Sequence, residues 1–360
     1  MKFFVSENFR SLKALILSSA ILLIAIHQGA SQTSAPSNVE VVDIPLPAWI
    51  ASRDHALPGS LSEFATDDTR RKQFGLLMER LADKDWDEAR KLASSPSLKY
   101  QLVAIRERDS WFVVASDDSG EGRDPTVIIN LAPRRDVIFE APHVPFERGT
   151  AEQAAILLRE LGGRAAIVSG AHRCASKKFT ACDGTTPVCG SVEGYRDSDV
   201  GHNTSTLFHL AHTVLAERWN KAIVVSLHGM LDDNSGVRTS LIVSNGIRAP
   251  DGNQKTPGTK FRLGLDSLMT PPGTVVSCNW PSDAAYNHRP LCGYTNVQGR
   301  HVNGDADACR GSVDQGTDRF IHLEQDWSIL RPFAQNWSRI SEHQMGNAMI
   351  KVFEVVLPPM

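Results

Sequence analysis

Three side chains able to hold a metal fall at the ends of predicted strands. The strand candidate Asp136–Ala141 runs into Pro142-His143-Val144-Pro145-Phe146-Glu147-Arg148-Gly149-Thr150, which puts an imidazole and a carboxylate in one proline-stiffened loop. The run Ile223-Val224-Val225-Ser226-Leu227, apolar on both faces as a central strand should be, stops at His228-Gly229. In open α/β sheets, sites form at such carboxyl ends. Two imidazoles and one carboxylate, with a fourth position left to water, are the ligand set of a catalytic zinc. Zinc brings the pKa of its water toward neutrality and polarises a carbonyl oxygen. A fourth residue belongs with them. In Phe320-Ile321-His322-Leu323-Glu324-Gln325, strand alternation places Phe320, His322 and Glu324 on one face. Glu324 is then the expected base, taking a proton from water and passing it to the leaving amine.

The elements that must position these groups alternate along the chain. Strands are predicted at Thr126–Asn130, Asp136–Ala141, Ala165–Ser169, Ala222–Leu227, Ser240–Ser244, Thr274–Cys278 and Phe320–Glu324. Helices are predicted at Ala151–Leu161, Thr206–Trp219, Lys260–Met269 and Pro332–Val356. This order implies an α/β fold, a mixed and largely parallel sheet with helices on both faces. Ahead of it, helical spacing over Thr66–Leu92 and two alternating runs, Tyr100–Ile105 and Trp111–Ala115, read as a helix and a hairpin. The domain organisation expected is a signal peptide at 1–30, a tether at 31–60, a small N-terminal α+β appendage at 61–120 and a zinc hydrolase domain at 121–360; an appendage that merely extends the main domain is the alternative.

Lys2, Arg10 and Lys13 precede the apolar run Ala14–Ile26, and Gly29-Ala30-Ser31 follows, the pattern of a secretory signal. An uncleaved anchor is the alternative. No other stretch reads as a membrane span, so the mature chain is expected in the periplasm or outside the cell. Export also suits the six cysteines, which cluster as 174/182/189 and 278/292/309. Local pairs would leave one over in each cluster, and those two could bridge, but sequence alone does not fix connectivity. The 360 residues carry 38 Lys and Arg against 41 Asp and Glu, with no basic run, so a nucleic-acid partner is not indicated. There is no GxGxxG after a strand, no P-loop, no HExxH, no GxSxG and no CxxC.

Pro142-His143…Glu147-Arg148-Gly149-Thr150-Ala151-Glu152 resembles the metal loop of the phage and bacterial poly-γ-glutamate hydrolases, Ser226-Leu227-His228-Gly229 their second histidine segment, and Phe320–Gln325 the strand of their general-base glutamate. That family is similar to the zinc carboxypeptidases and, more distantly, to the N-formylglutamate amidohydrolases. The resemblance spans roughly 125–330. It implies a phosphorylase/hydrolase-like sheet and one zinc on His143, Glu147 and His228, with Glu324 as base. A substrate bearing a carboxylate needs an anion clamp, best made by a bidentate arginine. Arg300, with Asn296 and Gln298 beside it, is the first choice, Arg173 the second and Arg248 the third. Asp199 and His202, in the polar segment 197–203, and His322 are expected to support the site from behind the ligands. Asn203 or Thr204 capping the next helix is the plainer role of that segment. His209 and His212 read as buried or capping residues rather than ligands. The function expected is a secreted zinc amidohydrolase or peptidase acting on a small-molecule or peptide substrate. An N-acyl amino acid deacylase and a non-catalytic binding module are the alternatives.

Overall fold

The computed structural model describes residues 34–231, 239–251, 255–268, 275–280 and 290–360. The proposed signal segment lies outside them, as do Thr274 and Met269 at the ends of two predicted elements. Ala35–Met360 form one compact unit.

The described residues open with strand β1 (Glu40–Val42) and helix α1 (Leu46–Ala51), then α2 (Asp68–Asp83) and α3 (Trp86–Ala93). The hairpin β2 (Tyr100–Glu107) and β3 (Ser110–Asp117) follows, then β4 (Thr126–Asn130), β5 (Val137–Ala141), α4 (Thr150–Leu161) and β6 (Ala165–Val168). A small ladder of β7 (Thr185–Thr186) and β8 (Glu193–Gly194) precedes α5 (Leu207–Arg218) and β9 (Ile223–Gly229). Then come β10 (Leu241–Ser244), α6 (Pro257–Asp266), β11 (Val275–Ser277), α7 (Val297–Val302), β12 (Phe320–Gln325), α8 (Trp327–Gln335) and α9 (Gln344–Val356).

Ten strands form one mixed sheet in the order β1-β2-β3-β4-β6-β5-β9-β12-β10-β11. Its centre, β6-β5-β9-β12, is parallel. These strands are Val- and Ile-rich and buried on both faces, as crossover helices require. One face packs Phe139, Val225, Leu227, Ile321 and Leu323 against α1, α4, α6, α8 and α9. The other packs Ile138, Val224 and Phe320 against α2, α3, α5 and α7. The α/β class, with helices on both faces, is as expected.

Four expectations need correction. The segment read as a tether carries β1, paired in parallel with β2, and α1, whose Leu46, Trp49 and Ile50 are buried against α4. Pro47 in the first turn, where its missing N–H costs nothing, helps start that helix. The expected appendage is an extension of the main sheet, because β3 pairs with β4. Thr66–Leu92 is two helices, separated at Lys84 in a left-handed conformation and restarted by an Asp85 cap. The long helix expected at Pro332–Val356 is likewise divided. α8 starts earlier, capped by Asp326, and ends at Asn336, and a 3₁₀ turn, Trp337–Glu342, separates it from α9.

Candidate metal centre and cleft

The four central parallel strands deliver the site residues at their carboxyl ends. β5 leads to His143 and Glu147. The loop folds back on itself there, Glu147 N–H donating to the His143 carbonyl at 2.9 Å, and Gly149 then opens α4. β9 ends on His228 and β12 on Glu324, and the register pairs Glu324 with His228 and His322 with Ser226. All lie on one face.

His143 Nδ1 stands 2.7 Å from Glu147 Oε1 and 3.1 Å from His228 Nδ1, and His228 Nδ1 is 3.4 Å from Glu147 Oε2. All three residues are buried. Two ring nitrogens facing each other across a carboxylate leave too few protons to satisfy every pair. A shared cation satisfies them all. A tetrahedral centre with zinc–nitrogen and zinc–oxygen distances of about 2.0–2.1 Å sets its ligand atoms about 3.3 Å apart, close to the spacing seen here. The donor set fits zinc.

Around this triangle the supports are continuous. Gly229 N–H donates to Glu147 Oε2 at 3.0 Å. His143 Nε2 is 2.9 Å from Asp199 Oδ1, the carboxylate–histidine arrangement that orients a metal-bound ring. Asp199 in turn accepts from Arg173 Nε at 2.9 Å and Nη2 at 2.6 Å. His228 Nε2 is 3.0 Å from Ser226 Oγ. His322 Nε2 is 3.2 Å from Glu324 Oε1. A Cβ on Gly201 would sit 2.9 Å from His143 Nε2, so only glycine lets the turn carrying Asp199 approach this closely.

Electrostatics mark the same cluster. For His143, burial and Arg173 favour the neutral ring, but Glu147 and Asp199 outweigh them and bring the pKa up to about 9. Burial opposes ionisation of Glu147, yet His143 and His228 hold its carboxyl well below the usual range. Asp199, despite its burial, is held low first by Arg173 and then by His202 and His143. Glu324 is pushed up to about 8 by burial, with His228 opposing and Glu147 adding to the rise. Burial also lowers His322 to about 4 and His202 to about 3. The cluster therefore stores two buried carboxylates against one guanidinium, and His143 holds a proton where a cation would serve.

A cleft opens over these groups. His143, Arg173, His202, His228, Asn296 and Glu324 line it. Thr185–Val188 form one wall, and Leu291 and Gly293 form another. His202 lies flat on Tyr195, ring centroids 3.7 Å apart, with its Nδ1 2.9 Å from the Thr295 carbonyl. Asn296 caps α7 through Oδ1, while its buried Nδ2 has no partner among the described residues.

No protein-family model and no curated protein matches the chain. Solved structures similar to it include the following two. An N-formylglutamate amidohydrolase from Ralstonia eutropha JMP134 has a TM-score of 0.36 at 10% identity, over 65% of this chain and 98% of its own. A bacteriophage poly-γ-glutamate hydrolase has a TM-score of 0.30 at 13% identity, over 65% of this chain and 88% of its own. The second name is that of the family whose metal loop the sequence resembles, and the first that of the more distant group named with it.

The structure thus brings together His143, Glu147, His228, Glu324, Asp199, His202, His322, Arg173 and Asn296. It does not bring Arg300, the first choice for the carboxylate clamp. Arg300 is buried outside the cleft, its guanidinium bonded to Asp183 at 2.6 and 3.2 Å and to the carbonyls of Tyr294, Ala308 and Cys309. Its donors are committed to bracing loops. Arg173 is the guanidinium in the cleft, its Nη1 3.6 Å from Glu147 Oε1. Arg248 lies over the Tyr294 ring, its guanidinium carbon 5.2 Å from the centroid. The α5 cap is Thr206 rather than Asn203 or Thr204. Ser226 and Tyr195 were not anticipated. Ser226 is the one polar residue in an apolar run and shares the face of His228, which was the available signal. Tyr195 had none, because its place depends on loop geometry.

Proposed function

We propose that this chain is a secreted zinc-dependent amidohydrolase that cleaves an amide or peptide bond beside a carboxylate. The observation that carries this reading is the convergence of His143 Nδ1, His228 Nδ1 and the Glu147 carboxylate at 2.7–3.4 Å, with Glu324 in register beside them at the floor of a cleft. His143, His228 and Glu147 would hold the metal. Zinc, when bound, supplies Lewis acidity that makes water nucleophilic near neutral pH and polarises the scissile carbonyl.

The remaining work belongs to the chain. Ionised Glu324 accepts a proton from the attacking water as the oxygen–carbon bond forms, then delivers it to the nitrogen as the carbon–nitrogen bond breaks. The positive charge of a cation at the ligand cluster offsets the burial that otherwise keeps Glu324 protonated. His322 Nε2 orients the Glu324 carboxyl. Asn296 Nδ2, without a partner among the described residues, and Arg173, whose Nη1 lies 3.3 Å from His143 Nδ1 and 3.6 Å from Glu147 Oε1, are the donors in the cleft that a substrate carboxylate would meet. Three disulfides among the described residues agree with an oxidising compartment, and no helix of the described residues is long and apolar enough to cross a membrane.

The test combines metal analysis with a substrate screen. The purified protein is expected to carry one zinc per chain and to hydrolyse at least one of γ-glutamyl, C-terminal peptide or N-acyl amino acid substrates, with activity lost to a chelator. Glu324→Gln should lower turnover about a hundred- to ten-thousand-fold and keep zinc. His228→Ala should lose zinc. Ligand binding that survives chelation, without hydrolysis, would make the chain a binding module instead.

A further inference from the structure

His202 sits in the cleft in a fixed pose. Its ring lies flat on Tyr195, centroids 3.7 Å apart and planes 2° apart. Tyr195 is itself held, its hydroxyl oxygen 3.0 Å from Thr295 Oγ1. The Thr295 carbonyl, 2.9 Å from His202 Nδ1, can only accept, so Nδ1 carries the hydrogen. Burial keeps the ring neutral against the pull of Asp199, with Arg173 and His143 assisting. That makes Nε2 a lone-pair acceptor. The bond at Nδ1 is the one hydrogen bond this ring makes among the described residues. The side chain is partly exposed, and it lines the cleft. Asn296 follows Thr295, and its Nδ2, unpartnered among the described residues, lies 3.7 Å from the point where Gly201, the neighbour of His202, would carry a Cβ. One end of the cleft therefore offers a donor and an acceptor side by side.

We propose that His202 is a specificity-determining residue whose Nε2 accepts a hydrogen bond from a substrate N–H other than that of the scissile bond, next to the oxygen that Asn296 Nδ2 meets. The inference rests on the amidohydrolase reading of this cleft and narrows its substrate class. The N–H is that of a second amide or of an amino group. A simple N-acyl amino acid, whose only N–H lies in the scissile bond, has none to offer. The other polar groups nearby are committed. Asp199 takes the Arg173 guanidinium and faces His143 Nε2, and Glu324 is needed for the attacking water. Arg173 and Asn296 present donors, which an N–H cannot use. A substrate without this N–H covers Nε2 and leaves it unpaired, and a site built around a substrate N–H rejects the analogue that lacks it.

Two pairs of compounds test this by steady-state kinetics with zinc present. γ-Glutamylglycine against glutarylglycine removes an amino group. N-acetylalanylalanine against O-acetyllactylalanine puts oxygen in place of a second amide N–H. The parent should prefer the N–H compound of at least one pair by about tenfold or more in kcat/KM, and the pair that shows it tells amine from amide. His202→Phe keeps a ring to stack on Tyr195 but has no nitrogen. In that variant the preference should fall to near one, with zinc content as in the parent. Equal kcat/KM within both pairs for the parent, or a preference that persists in His202→Phe, would overturn the proposal. So would loss of zinc from that variant, which would set His202 among the ligands. If thermal unfolding shows that His202→Phe does not fold, His202→Leu reads the same ratio. If the parent hydrolyses none of the four compounds, their calorimetric affinities for parent and variant read the same preference. Failure of the amidohydrolase reading thus stays distinct from failure of this contact.

Discussion

Arginine and asparagine side chains in this molecule show why residue type alone could not assign the substrate clamp. Arg300 and Arg173 are equally plausible cations in sequence, yet Arg300 spends its guanidinium on Asp183 and three carbonyls, while Arg173 keeps Nη1 toward the ligand cluster. Arg300→Ala is expected to cost roughly 1–3 kcal/mol of stability, since it removes charge-assisted bonds to a partly solvated partner, and to leave KM unchanged. Denaturant unfolding and steady-state kinetics on the same variant check this; a raised KM with unaltered stability would return Arg300 to the substrate site. Asn296 separates two roles within one side chain. Serine caps a helix about as well as asparagine but lacks the second donor. Asn296→Ser should therefore keep the melting temperature and raise KM by about tenfold, the worth of one net hydrogen bond. Unchanged KM would free Nδ2 of any part in recognition. The clustering of the proposed ligand residues is legible because strand-end position is a local signal. The choice among arginines is not, because it depends on contacts across more than a hundred residues, such as Arg300 with Asp183.

At the scale of elements, strands were read better than loops. Runs such as Ile223–Leu227 must be buried on both faces, and little else can satisfy them. The divided helix after Pro332 and the helix at Leu46–Ala51 are not legible in the sequence, because they turn on caps and on packing against α4 and α9 rather than on period. The disulfides take the arrangement of two local pairs and a bridge, Cys174–Cys189, Cys278–Cys292 and Cys182–Cys309. They hold the cleft walls. Cys189 adjoins Val188, Cys174 adjoins Arg173, and Cys292 lies between Leu291 and Gly293, four residues of the lining. Cys174 and Cys189 are both half-buried, whereas Cys278 and Cys292 are fully covered. An exposed disulfide is the more readily reduced. A mild dithiol should open Cys174–Cys189 first, as thiol labelling and peptide mass mapping would show. KM should rise several-fold while metal content holds, because His143 and Glu147 follow β5 and His228 stands on β9, all outside the 174–189 loop that this bridge closes. Metal loss in step with reduction would contradict this separation of wall from centre.

For the whole molecule, a metal held at the proposed centre would be coupled to the stability of the fold. In the metal-free protein His143 carries a pKa raised from 6.5 to about 9 and Glu324 one raised from 4.5 to about 8. A raised folded-state value means that the group contributes stability fully below its unfolded pKa and loses it as pH rises through the folded one. For His143 that loss runs from about 6.5 to about 9, and for Glu324 from about 4.5 to about 8, so both act in one direction. Glu147 and Asp199 have the opposite sign: held low by their cationic partners, they contribute above their ordinary range and lose that contribution in acid. The chelated protein should therefore be most stable in mildly acid solution and melt at progressively lower temperature from pH 6.5 to 9. Zinc at the proposed centre would replace the proton on His143 with a charge that does not titrate away, and because it binds only deprotonated ligands its stabilisation should grow over the same interval. Thermal unfolding at matched pH values, with chelator and with excess zinc, gives two curves that ought to diverge as pH rises. Parallel curves would mean that the buried protons and the metal do not compete for one place, and the centre would have to be sought elsewhere in the fold.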